Sequence, residues 1–278
     1  MMNWPDNKRI AVMMAFDLDA ETMWTTHGDG STAHMTNLSR GAYGPKQGVP
    51  RILDMLDSHQ VKATFFIPGV VAEHYPEVVK EIARRGHDIG FHGYLHEEST
   101  KTTYEQEDAT MHRSEKIIYD LTEQKIAGHR APGGVIHDYS LRLFLEHGYI
   151  YSSNWRDSDG PFLHQIDGKT VPLVELPKDS IFDDTAYDFY TDAAPERYGL
   201  KSPDEMFEIW KEEFDSLAAE GRMINFVLHP QFVGRASRVQ MLSRLIGYMK
   251  SHGAWLDTNR AVASWVLKEN GFQVPDHE

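Results

Sequence analysis

The chain has 278 residues, of which 41% are apolar and 25% charged, as expected for a globular protein long enough to bury a substantial core. Its net charge of −14 argues against nucleic acid or an anionic membrane as a partner. With no cysteine, disulfides and thiolate ligands are excluded, so any metal must be held by His, Asp or Glu.

The N-terminal segment, Met1 to Arg9, is polar, and the apolar run Ile10–Phe16 is too short for a signal core or a membrane span. The expected compartment is therefore the cytoplasm. Ile10–Phe16 reads as a buried strand that stops at Asp17. Gly48-Val49-Pro50 opens a helix running to about Ser58, with Pro at a tolerated first-turn position. Ala63–Ile67 is a second strand, Tyr75–Arg85 a helix with Gly86 at its end, and Asp88–Phe91 a third strand. Thr103–Thr122 has helical spacing. A short strand near Ile126–Gly128 precedes a helix from Tyr139 to His147. Tyr149–Tyr151 and Leu173–Leu176 read as strands, and Ser202-Pro203-Asp204-Glu205 starts a helix that reaches about Glu220. Met223–Leu228 is the last strong strand, and helices over Val239–Lys250 and Arg260–Lys268 close the chain.

This alternation, with continuously apolar strands, predicts an α/β fold with a mostly parallel sheet covered on both faces. No glycine-rich phosphate loop follows any strand, which favours a distorted (β/α)7-8 barrel over a nucleotide-binding doubly wound sheet. No linker or internal repeat divides the chain, so one domain over 1–278 is expected. Two stretches, Glu21 to Lys46 and Ser152 to Val171, lack periodicity. They read as long loops after strand ends that roof a site, with surface decoration or an oligomer contact as the alternative.

The candidate chemistry sits at strand ends. Asp17 and Asp19 are two apart and share one side of an extended segment, where they repel unless a cation lies near; a polar cap pair is the alternative. His92 and His96 are four apart, but Gly93 stands where a zincin needs Glu, so that reading fails. One His at a strand end and one in the next turn can still converge on a metal, zinc accepting two His and a carboxylate; with 15 histidines in the chain, a structural His is the alternative. Arg130, after a short strand, would keep Asp17 ionised, or else is an ordinary surface Arg. His229, after an apolar strand and locked by Pro230, could be a general acid or a satisfied buried His. Asp157, Asp159 and Glu175 are candidate carboxylates behind it, with loop solvation as the alternative.

Taken in order, these segments resemble the polysaccharide deacetylase family. Phe16-Asp17-Leu18-Asp19 stands where that family has an adjacent Asp-Asp pair. His92-Gly-Tyr-Leu-His96 resembles its metal motif, Arg130-Ala-Pro-Gly its Arg-x-Pro motif, Trp155-Arg-Asp157-Ser-Asp159 a loose fourth motif and Leu228-His229-Pro230 the fifth. The resemblance spans residues 10 to 265. It implies that Asp19, His92 and His96 hold one divalent metal, Zn2+ before Co, Ni or Mn. It further implies that Asp17 is the general base, Arg130 its orienting cation and His229 the general acid. The Asp-x-Asp spacing, with Ser39-Arg40-Gly41 and Gly48-Val49-Pro50-Arg51, is similar to a branch holding peptidoglycan-deacetylase-like proteins, cyclic imide hydrolases and a metal-free allantoinase. Some members of that branch are tetramers, so a homo-oligomer is expected.

The expected activity is metal-dependent hydrolysis of a non-peptide carbon–nitrogen bond. The substrate would be a small cytoplasmic amide such as a cyclic imide; an N-acetylated sugar or oligosaccharide, peptidoglycan included, is the alternative. A non-catalytic sugar- or metal-binding protein is the rival of another class. Asp17, Arg130 and His229, which metal binding does not need, speak against it.

Overall fold

The computed structural model describes residues 2–25, 34–188 and 200–275. The fold is mixed α/β with mostly parallel strands, as the sequence pattern predicts. The strands are β1 (Ile10–Met13), β2 (Ala15–Asp17), β3 (Thr64–Ile67), β4 (Asp88–Phe91), β5 (Gly128–His129), β6 (Tyr151–Ser152), β7 (Phe162–Ile166), β8 (Lys169–Glu175), β9 (Met223–Asn225) and β10 (Ala254–Leu256). Backbone proximity groups the chain into two compact units, each built from two sequence segments.

The first unit comprises Met1–Ala63 and Lys178–Asp257. Its sheet has the order β10-β1-β9, all parallel, with Ala11 opposite both Trp255 and Met223. Every residue of β1 is fully buried, which is why that segment is apolar without alternation. Past Met14 the chain continues as β2. Phe16 bridges Leu228, Asp183 bridges Val227, and the Asp17 amide donates to the Leu228 carbonyl at 2.8 Å. Three sequence-distant segments thus run side by side, and each ends in an ionisable residue: Asp17, Asp184 and His229.

The second unit comprises Thr64–Pro177 and Thr258–Glu278. Strands β3, β4, β5, β6 and β8 lie side by side and parallel, and β7 pairs antiparallel on β8. The register matches Ile67 with Phe91, Phe91 with His129, His129 with Ser152 and Ser152 with Glu175. The strands therefore end level, and His92, Arg130 and Ser153 follow one another along a single rim. In an open parallel arrangement that rim is where ligands bind.

Among the described residues, two helices carry capping boxes. Thr103 and Gln106 close the start of Tyr104–Thr122, and Ser202 and Glu205 that of Pro203–Glu220, each satisfying two otherwise orphaned amides. Ser202→Ala should lower stability by about 1 kcal/mol, read as a shifted denaturant midpoint at unchanged slope; no shift would mean the cap is idle.

The two aperiodic stretches hold more structure than a loop reading allows. Helices Thr22–Thr25 and Met35–Tyr43 and a π-turn over Gly44–Gly48 fill the described part of the first, while residues 26–33 lie outside the described residues. In the second, β7 and the start of β8 form a hairpin whose turn residues, Asp167 and Gly168, both have positive φ (52° and 72°). That is the conformation a two-residue hairpin turn requires.

Candidate active site

In the first unit, Asp17 closes β2 and is 3% exposed; Asp19, two residues on, is fully buried. The Asp19 carbonyl accepts from the Thr22 amide at 3.0 Å and the Thr22 hydroxyl at 2.6 Å, which fixes the turn that displays its side chain. His229 follows the bridge at Leu228, and its ring is pinned. Nδ1 lies 2.6 Å from Oδ1 of Asp184, and the His229 amide donates to the other Asp184 oxygen at 2.8 Å. Since both contacts use carboxylate oxygens as acceptors, Nδ1 carries the hydrogen and Nε2 faces Asp19 Oδ2 at 3.5 Å.

Burial by itself would push the His229 ring down. The Asp184 carboxylate, with Asp19 and Asp183 beyond it, reverses this and holds the ring up at about 10. A cation bound at Asp19 would cancel part of that pull. Asp157 is exposed, and both oxygens of Glu175 are occupied within the second unit. The sequence expectation that these residues back His229 is therefore corrected: the backing carboxylate is Asp184, fully buried. Its signal in the sequence was the acidic pair Asp183-Asp184 after Ile181-Phe182.

The turn at His229-Pro230 rests on Gly48. A Cβ on Gly48 would stand 2.2 Å from the Pro230 carbonyl oxygen, so only glycine lets the π-turn and the following helix Val49–His59 approach so closely. Gly48→Ala should cost about 1–3 kcal/mol through forced displacement of one backbone from the other. A thermal melt checks this, and wild-type stability would refute the close approach.

In the second unit, His92 follows β4. Its Nδ1 lies 2.7 Å from the Arg130 carbonyl oxygen, which can only accept, so Nε2 is left as the ligand atom. Gly93 and His96 both have positive φ (74° and 62°), and between them the chain makes a tight turn. The Glu97 carboxylate closes it, accepting from the Tyr94 amide at 3.0 Å and the Leu95 amide at 2.5 Å. Glu97, directly after His96, thus holds the turn that presents His96. Glu97→Ala should weaken metal binding about 10–100-fold with little effect on the fold; unchanged affinity would show that the turn holds itself.

Arg130 is no surface residue. It is fully buried, with Nε donating to Ser153 Oγ at 3.2 Å and the guanidinium 4.3 Å from the Phe66 ring centroid. A buried guanidinium needs anionic company. Glu175, also fully buried, accepts from the amides of Asn154 and Trp155 and pairs with His164 Nε2 at 2.9 Å. It stiffens the loop after β6.

Among the described residues, two groups of His and carboxylate side chains that each lie within one unit bring ligand atoms within 4.8 Å of one another: Asp183 with Asp184 and His229, and Asp108 with His112 and His147. Asp19, His92 and His96 are each buried, and two imidazoles with one carboxylate are a donor set that suits zinc with a position left for water. In the Asp183–Asp184–His229 group, Asp184 is committed to the His229 ring through Nδ1 and to the His229 amide.

Residues 42–152 match the family profile of polysaccharide deacetylases. Over 289 aligned residues the chain is 27% identical to a peptidoglycan deacetylase of Helicobacter pylori, with 95% of this chain and 98% of the relative covered. It is 31% identical to a candidate polysaccharide deacetylase of known structure from Mycobacterium smegmatis, with a TM-score of 0.89 and with 97% and 94% of the two chains covered. The PuuE allantoinase shares the fold at a TM-score of 0.84 and 24% identity, with 98% and 94% covered.

Proposed function

Given that this chain belongs to the polysaccharide deacetylase family of carbon–nitrogen hydrolases, we propose that it cleaves a non-peptide amide with one divalent metal ion, held by Asp19, His92 and His96. The fold is the family's mostly parallel (β/α) barrel. The observation that carries the reading is the burial of two imidazoles and a carboxylate, His92, His96 and Asp19, in a chain that also spends Asp17, Arg130 and the Asp184–His229 pair, which binding alone does not need.

When bound, the ion supplies Lewis acidity toward the substrate carbonyl and the attacking water. Asp17 takes the proton from that water as its oxygen bonds to the carbonyl carbon. Arg130 has the role of keeping Asp17 ionised and oriented. His229 gives a proton to the leaving nitrogen as the carbon–nitrogen bond breaks, and Asp184 holds the ring through Nδ1 so that Nε2 delivers it.

For the substrate we infer an N-acetylated amino sugar of the peptidoglycan type, supported by the near full-length likeness to a peptidoglycan deacetylase. The one-residue gap between Asp17 and Asp19 favours a second reading, a small cyclic imide hydrolysed in the cytoplasm. Zinc is the proposed ion, and a homo-oligomer the proposed state. The test is elemental analysis followed by paired assays on N-acetylated amino-sugar oligomers and cyclic imides. Acetate release from the former supports the first reading and ring opening of the latter the second. Turnover of neither by metal-replete protein would sink the hydrolase assignment.

A further inference from the structure

Outside the catalytic motifs, helix Tyr104–Thr122 carries Asp108 and His112 one turn apart, with Glu115 three residues further on the same face. His147, the residue that caps helix Ser140–Glu146, packs against them, with its side chain 2% exposed. The His147 and His112 rings lie 4.4 Å apart between centroids. Ligand atoms of Asp108, His112 and His147 lie within 4.8 Å of one another. The cluster borders an open cavity lined also by Tyr119, Lys125 and Gly148.

The hydrogen bonds around His147 have the order of a metal site. Glu115 Oε1 lies 2.7 Å from Nδ1 and also accepts from the Tyr149 hydroxyl at 2.8 Å. A carboxylate committed to Nδ1–H orients the ring and raises the basicity of the other nitrogen, the arrangement that backs metal-bound histidines. Nε2 then points to Asp108 Oδ1 at 2.9 Å. His112, with its side chain 67% exposed, can swing onto the same point, its Nδ1 now 3.6 Å from Glu115.

We propose that Asp108, His112 and His147 form a second divalent-metal site, of the zinc class, with Glu115 as the carboxylate behind His147. Two imidazoles and a carboxylate are borderline donors, suited to zinc and bound still more tightly by copper. The site joins the middle of one helix to the end of another, so it acts as a clamp and not in the chemistry.

The test is a zinc titration of the chelator-stripped full chain by calorimetry. Wild type should bind two equivalents. His112→Ala, an exposed change that spares the fold, should bind one and keep its hydrolytic activity when loaded. Glu115→Gln should weaken the same equivalent about 10–100-fold. Zinc should raise the melting temperature of His92→Ala protein but not of the His92→Ala/His112→Ala double variant. If His112→Ala binds the same number of equivalents as wild type, or zinc protects both of those variants equally, the cluster holds a proton between two carboxylates and the proposal fails.

Discussion

Replacing His92 by alanine is expected to remove the catalytic metal equivalent and lower kcat/KM by about 10³-fold or more. A Lewis acid at a reacting carbonyl is worth several kcal/mol, and 1.36 kcal/mol is tenfold in rate. The change removes one of three buried donors, and the two that remain, Asp19 and His96, are too few for a tight zinc site. It also strands the Arg130 carbonyl that His92 Nδ1 now satisfies, at a further cost of about 1–3 kcal/mol of stability. A melting curve run beside the metal analysis separates that cost from the loss of metal. The partner experiment is Asp17→Asn, which should keep the metal and lose about 10²–10⁴-fold in kcat, the usual worth of a positioned base. Both zinc equivalents retained in the His92 variant, or one retained in the His92→Ala/His112→Ala double variant, would overturn the ligand assignment. Activity retained in the Asp17 variant would overturn the base.

Much of this was legible in the chain, for reasons that differ residue by residue. The β1 run could be read because a strand buried on both faces tolerates no polar residue, and the Ser202 cap because its hydrogen bonds are local. The hairpin of β7 and β8 was missed although Asp167-Gly168 is a turn signal in its own right; alternation in Phe162–Ile166 is too weak to frame it. β10, three residues long, carries no periodicity at all and exists because β1 offers it an edge. At the site, the His92 and His96 pair was visible from spacing, but the burial of Arg130 was not, since nothing local distinguishes an Arg packed on Phe66 from one in water. Asp184 was missed for a similar reason. It meets His229 only because Asp183 bridges Val227, a long-range pairing that no window of sequence contains.

That long-range pair yields the prediction with the sharpest signature. Asp184→Asn is expected to lower kcat/KM about 10²–10⁴-fold and to move the alkaline limb of its pH profile to lower pH. The sign follows from the environment of His229. Burial favours the neutral ring, and the charge of Asp184 is the chief influence holding the proton on it, at about 10. Without that charge burial prevails, the ring gives up its proton at lower pH, and the fraction of enzyme with its acid in place falls earlier as pH rises. The substitution is not silent structurally either. Both Asp184 oxygens are acceptors, one for the ring Nδ1–H and one for the His229 amide, and an asparagine offers only one oxygen. One buried donor must face an NH2 group, which should cost about 1–3 kcal/mol of stability. The two effects part in the measurement: loss of folded protein scales the whole profile, whereas loss of the acid's charge partner displaces one limb. A profile that is merely scaled would show that His229 does not act as the acid under the control of Asp184. A displaced limb, with the melting temperature lowered independently, would assign the proton to Nε2 of His229.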